Sequence, residues 1–444
     1  MRLSLNTIFL ALALAHLLVA PANANVWGQV PKRPLLKRAT VGFHRSALRH
    51  SAGLARDLRV AFRALGRNHS TRASLAGRDN NDSKPFCVSN PSGIQQHPNT
   101  TTNSHSTSPG SPTGTKHGSP SSTSTSAPSA SGTSQSNFNL VQSYSGNTFF
   151  SGWDFFTGGD PTNGVVQFVD QSTAQSNNLI SINDAGNAIM RVDTTPQVSG
   201  NRASVRIQTH FSFTGGLVIM DSVHMPTGCG SWPAFWTNGP NWPNTGEIDI
   251  VEGVNDYTNN QATIHTNVGC QLPSSNVTAL GISGAIVGGT NCAALQTGNE
   301  GCGVRASQTN SFGAAFNNNG GGVFSMLWDQ SGVAVWFFSR GSIPSDITAG
   351  APVPDHWGTP SAFWPATTCN PFQFFQNHGV IFDTTLCGDW AGSVWTATGI
   401  PGQEQSCAQR TGVATCEQFV RQNGAALAEA YWEVKNVQIY QTKS

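Results

Sequence analysis

From about residue 138 onward the apolar residues come in short β-branched and aromatic runs, broken by Gly and Asn, and not at helical spacing. Ser204–Thr209, Leu217–Val223, Glu247–Glu252, Ala262–Thr266, Val323–Trp328, Val333–Phe338, Gly379–Phe382 and Tyr431–Tyr440 each read as a strand. A helical pattern is confined to the neighbourhood of Cys416–Asn423, where Gly424 supplies a stop. There is no internal repeat and no alternation of strands with helices. Many short strands over residues 138–444 predict an all-β sandwich of antiparallel sheets.

The first third of the chain follows other patterns. Arg2, an apolar run from Ile8 to Ala20 and Ala22-Asn23-Ala24 predict a secretory signal peptide over residues 1–24. The run is short for a membrane span, although a signal anchor stays open as the alternative. Residues 25–87 form a basic leader, with Lys32-Arg33 and Lys37-Arg38 suited to dibasic processing. Within it Leu54, Leu58, Ala61, Phe62 and Leu65 recur at helical spacing between arginines, a pro-segment with the pattern of a basic amphipathic helix. Residues 88–136 are dominated by Ser, Thr, Pro and Gly and lack any acidic residue, which predicts a linker unable to bury a core. Asn68, Asn81, Asn99 and Asn276 begin N-glycosylation sequons.

Charge changes the picture, because the net +1 of the 444 residues hides a split. Residues 25–84 carry thirteen Lys and Arg against three Asp, whereas residues 137–444 carry nine against twenty Asp and Glu. The acidic body offers no basic surface with interleaved aromatics, so a nucleic-acid partner is not expected. Eight of the nine cysteines lie after residue 200, an even set that predicts up to four disulfides of open connectivity in an exported domain. Cys87 is left over beside the linker, and no CxxC pair with zinc spacing occurs.

Against this background of 11% charged residues, Gly246-Glu247-Ile248-Asp249-Ile250-Val251-Glu252 places three acids in one apolar strand. Alternation puts Glu247 and Asp249 on one face and Ile248 and Ile250 on the other, and points Glu252 away from its partners. If all three serve one site, an extra residue near Ile250 and Val251 must bulge the strand and turn Glu252 back. Two carboxylates across a sugar are the machinery of glycoside hydrolysis, and retention needs them only ~5–5.5 Å apart. An unbulged strand would hold residues five apart at roughly 16 Å between Cα atoms.

Aromatic residues gather just upstream, in Ser231-Trp232-Pro233-Ala234-Phe235-Trp236 and Asn241-Trp242-Pro243-Asn244. Trp236 and Trp242, read as parts of a Pro/Asn/Gly-rich loop, offer apolar platforms for sugar rings. Asn201-Arg202-Ala203-Ser204-Val205-Arg206-Ile207 alternates, so Arg202, Ser204 and Arg206 are expected on one face, where either arginine could meet sugar hydroxyls or balance the acids. His265, out of phase with Ile264 on an expected neighbouring strand, is a further candidate. No His cluster has metal-ligand spacing.

Together these segments resemble glycoside hydrolase family 16. Gly246–Glu252 is similar to its E-x-D-x-x-E signature, without departure from it. Met225-Pro-Thr-Gly-Cys-Gly-Ser-Trp-Pro-Ala-Phe-Trp236, Gly200–Ile207, Cys387-Gly-Asp-Trp-Ala-Gly392 and Ala430-Tyr-Trp-Glu-Val-Lys-Asn-Val437 resemble its fungal laminarinase-type branch. The resemblance covers residues 138–444 and implies a β-jelly-roll with a sugar-binding cleft on a concave sheet. It implies internal cleavage of β-1,3 and mixed-linkage β-glucans with retention. A secreted monomer without a cofactor is expected; a structural calcium stays open. By the same matching Glu247 is the nucleophile, Glu252 the general acid/base and Asp249 the residue that holds and tunes the nucleophile. Trp236, Trp242, His265 and Arg206 then line the donor side of the cleft and Trp390 lies near the acceptor side. A transglycosylase with the same acids and a non-catalytic glucan-binding lectin are the alternatives.

Overall fold

The computed structural model describes residues 135–273 and 276–443. The expected signal peptide, the leader, nearly all of the linker, Cys87 and the sequons at Asn68, Asn81 and Asn99 lie outside the described residues. Asn276, the fourth sequon, sits exposed and caps the short Val277–Leu280 helix through its side-chain oxygen. Among the described residues no helix is long and apolar enough to cross a membrane.

Two antiparallel sheets of eight strands carry the fold, as the runs of β-branched residues predict. The first sheet runs in the order Ala285–Gly288, Cys302–Arg305, Gln261–His265, Glu247–Glu252, Ser231–Asn238, Gly379–Leu386, Arg206–Thr209 and Trp153–Phe155. In the second, Ala362–Pro365, Gly332–Ser339, Gly322–Asp329, Gly216–His224, Tyr431–Thr442, Ala188–Arg191 and Ile180–Ile182 follow one another, and Phe138–Ser145 adds to Tyr431–Thr442. Neighbours distant in sequence make this a sandwich with long crossover connections. Ile248, Phe235, Ile264 and Phe382 of the first sheet share one buried cluster with Val218, Met220, Phe324 and Val437 of the second. Each such side chain contributes about 1.5–3 kcal/mol by leaving water. All eight cysteines of the body pair, as Cys229–Cys407, Cys270–Cys369, Cys292–Cys302 and Cys387–Cys416.

Three expectations need correction. The arginine run is not one strand: Arg202–Ser204 pairs in parallel with Val166–Phe168, and Arg206–Thr209 joins the first sheet after a break at Val205. Arg202 is fully buried, and its guanidinium donates to the backbone oxygens of Val420, Asp193 and Thr195 and to the Asp193 carboxylate. It anchors chain segments and leaves only Arg206 facing the site. Second, Ser231–Asn238 is a strand, not a loop, and occupies the middle of the first sheet. Pro233 hides it, because proline is disfavoured inside central strands. Here the ladder to the acidic strand ends at Ala234, so Pro233 pairs on one side only, opposite Thr384. Third, besides the expected Cys416–Gln422 helix, short helices form at Gln171–Ser176, Gly313–Asn318 and Cys407–Thr411. One or two turns are too few to show an amphipathic period, and caps such as the Ser406–Gln409 capping box define them locally.

Candidate active site

The acidic strand contains the bulge that its chemistry requires. Against Ser231–Asn238, Asp249 stands opposite Trp236, Val251 opposite Phe235 and Glu252 opposite Ala234, which leaves Ile250 as the extra residue. Asp249 and Glu252 are three residues apart but span only two positions of the partner, so both return to the face that bears Trp232, Ala234 and Trp236. Ile248 and Ile250 remain fully buried in the core. Glu247, Asp249 and Glu252 line one cavity together with Trp236, Trp242, Arg206 and His265.

His265 lies directly opposite Glu247 on the neighbouring strand. Its Nε2 is 3.2 Å from Asp249 Oδ2 and 3.9 Å from Glu247 Oε1. Gly301, at φ +63°, lets the backbone lie flat on the His265 ring; a Cβ there would stand 2.8 Å from Nδ1. Gly246, at φ +74°, has the same need just before Glu247, because a Cβ would run into the Phe375 ring. Burial pushes the Glu247 carboxyl up to about 8, and the charges of Asp249 and Glu252 act in the same direction against His265 and Arg206. The cluster therefore holds a proton that isolated carboxylates would have released.

Arg206 stacks between two aromatic faces, 4.6 Å from the Phe156 centroid and 4.9 Å from that of Trp236. Trp236 Nε1 donates to Asp383 Oδ2 at 3.2 Å. Asp383 stands opposite both Arg206 and Ala234, and burial raises its carboxyl to about 7, with Arg206 opposing the rise. Trp242 comes from the turn between Asn238 and Glu247 and also lines the cavity.

One expectation about an individual residue changes, and two residues of the site had not been expected. Trp390 is 1% exposed and does not line the cavity; it packs edge-on against Trp232, with 5.8 Å between ring centroids. Its bulk completes the layer behind the wall. Trp232 reaches the site instead, donating its Nε1–H to Glu252 Oε1 at 2.9 Å. The signal for Trp232 was the period-two spacing with Trp236, which a loop reading could not use. Asp383 gave no such signal, since Gly379–Phe382 alone read as strand and its partners are distant in sequence.

Among the described residues two groups of side chains come close enough to hold a cation, Glu247 with Asp249 and His265, and Cys229 with Asp256 and Cys407. The two cysteines of the second group form a disulfide, and Asp256 is engaged by Arg410. Neither resembles the shell of six or more oxygens that calcium takes.

A family model described as the XgeA-like catalytic GH16 domain matches residues 153–440. A probable glycosidase of Schizosaccharomyces pombe is 44% identical over 307 residues, covering 68% of this chain and 69% of that protein. A probable endo-1,3(4)-beta-glucanase of Aspergillus niger is 43% identical over 311 residues, which is 69% of this chain but only 40% of that protein. Among solved structures, laminarinase 16A of Phanerochaete chrysosporium, with 6-O-glucosyl-laminaritriose in its donor and acceptor sites, superposes with a TM-score of 0.61. It is 37% identical, and the match covers 68% of this chain and 99% of that one. An elongating family 16 β-1,3-glucosyltransferase matches equally well, at TM-score 0.61 and 37% identity over 68% of this chain and all of that one. With a family model spanning most of the chain, two sheets of the jelly-roll type and an intact signature on a bulged strand, the chain belongs to glycoside hydrolase family 16.

Proposed function

We propose that this chain is a secreted, retaining endo-β-glucanase that hydrolyses β-1,3 and mixed-linkage β-1,3(1,4)-glucans. The observation that carries the reading is the bulge at Ile250, which brings Glu247 and Glu252 to one cavity wall among tryptophans. Export is supported by the signal-peptide pattern over residues 1–24 and by four disulfides in the body. The related probable glucanase of Aspergillus niger and the glucan-bound laminarinase support the substrate class.

In this reading Glu247 attacks the anomeric carbon while Glu252 passes its proton to the departing glycosidic oxygen. A covalent glycosyl-enzyme results, and Glu252, now a carboxylate, takes a proton from the water that releases it. Glu247 attacks from the microstate in which the cluster's extra proton rests on Asp249, facing His265 at 3.2 Å. The Trp232 N–H orients Glu252, and the Trp236–Arg206–Phe156 stack provides a flat, polar-edged wall for sugar rings. The chemistry uses the chain's own carboxylates and no cofactor.

The test is product analysis on laminarin, lichenan and galactan, with the anomer followed by NMR. Internal cleavage of the first two with the β-anomer formed first is expected, and Glu247→Ala abolishes it. Binding of laminarin without release of reducing ends, or cleavage of galactan alone, overturns the reading. Longer products at high oligosaccharide concentration would move the assignment to a transglycosylase, the activity of the structurally similar glucosyltransferase.

A further inference from the structure

The bulge that turns Glu252 into the site begins where the ladder to the neighbouring strand ends. The ladder between Glu247–Glu252 and Gln261–His265 contains Glu247–His265, Ile248–Ile264 and Asp249–Thr263, and stops there. Past that point the register gives no further pair, and the Ile250 carbonyl and the Glu252 N–H belong to buried residues. Such groups, buried, need partners. The Asn260 side chain supplies both: its Nδ2 donates to the Ile250 carbonyl at 2.9 Å, and its Oδ1 accepts from the Glu252 N–H at 3.0 Å.

Asn260 is itself held rigidly. It is 3% exposed, its N–H donates to Ser311 Oγ at 2.9 Å, and its carbonyl accepts from the Ala306 N–H at 2.8 Å. Ser311 Oγ in turn donates to the Gln308 carbonyl at 2.7 Å. The carboxamide thus stands where a peptide group of the ladder would have been. Among side chains of this length only Asn offers one donor and one acceptor in a planar unit; Asp lacks the donor.

We propose that Asn260 is a positioning residue for Glu252: its carboxamide spans the bulge and fixes the backbone from which the proton donor projects. The inference rests on the reading of Glu252 as general acid. Displacement of a catalytic group by about 1 Å can cost on the order of 10²-fold in rate. That loss depends on the leaving group, because a glucan alkoxide needs a proton whereas 2,4-dinitrophenolate departs without one.

The test compares kcat/KM, which reports on steps through formation of the glycosyl-enzyme, for laminarin and for 2,4-dinitrophenyl β-laminaribioside. Asn260→Ala is expected to lose on the order of 10²-fold on laminarin and to remain close to wild type on the aryl glycoside. Asn260→Asp, almost isosteric and so safer for folding, keeps the acceptor, loses the donor and shows the same selective loss. Equal losses on both substrates in both variants, or no loss on laminarin, overturn the proposal. Glu252→Gln serves as the reference. If it is selective and the Asn260 variants are not, the positioning role alone falls; if Glu252→Gln loses both substrates alike, the acid assignment falls and the proposal with it.

Discussion

Glu247→Gln should stabilise the protein at neutral pH while abolishing its activity. In the folded state burial and two neighbouring carboxylates hold Glu247 at about 8, against 4.5 in the unfolded chain, and its side chain is only 16% exposed. A raised carboxyl means that the folded form keeps a proton which the unfolded chain releases. Stability therefore falls as the pH climbs through the window between 4.5 and about 8. At pH 7, about 2.5 units into that window, the ceiling on the cost is roughly 3.5 kcal/mol at ~1.4 kcal/mol per unit. A neutral amide of the same shape escapes it. For a domain of this size a gain of that order corresponds to roughly 6 °C in Tm. Calorimetry of wild type and variant at pH 7 and pH 4 is the assay. The variant should melt higher at pH 7, and the difference should vanish at pH 4, where both forms of the wild type carry the proton. A lower Tm at pH 7, or a gain that is the same at both pH values, would refute the account of the cluster.

Trp232→Phe removes the 2.9 Å bond to Glu252 while keeping an aromatic ring. Steady-state kinetics should show kcat on laminarin falling up to roughly tenfold with KM little changed, since one hydrogen bond contributes about 0.5–1.5 kcal/mol; a rise in KM alone would make Trp232 a sugar platform. Asp383→Ala frees the Trp236 indole from its 3.2 Å anchor and leaves Arg206 without its neighbouring carboxylate. KM should rise about tenfold with kcat within a few-fold, and a collapse of kcat instead would place Asp383 in the chemistry.

The sequence by itself determined the class of fold and the heart of the site. Period-two runs of β-branched residues can hardly form anything but sheets, and the alternation within Gly246–Glu252 already set Glu247 and Asp249 on one face and required a bulge near Ile250 and Val251 if Glu252 was to join them. Arg206 and His265 were legible as neighbours of those acids from the alternation of their own short segments, and Trp236 and Trp242 from their place just upstream in the chain. What tertiary structure alone decided are contacts between segments far apart in the chain. Arg202 and Arg206 alternate in phase, yet a break at Val205 sends one into a cage of carbonyls and the other to the cavity. Trp390 carries the composition of a sugar platform but is walled in by Trp232. Asp383 meets Trp236 across 147 residues. Asn260 is near the bulge in the chain, but it meets it through side-chain bonds that no hydrophobic pattern encodes. Local periodicity fixes which way a side chain points from its own strand. Which strand lies beside it, and whether a buried backbone group finds a partner, is decided only when the sheets close.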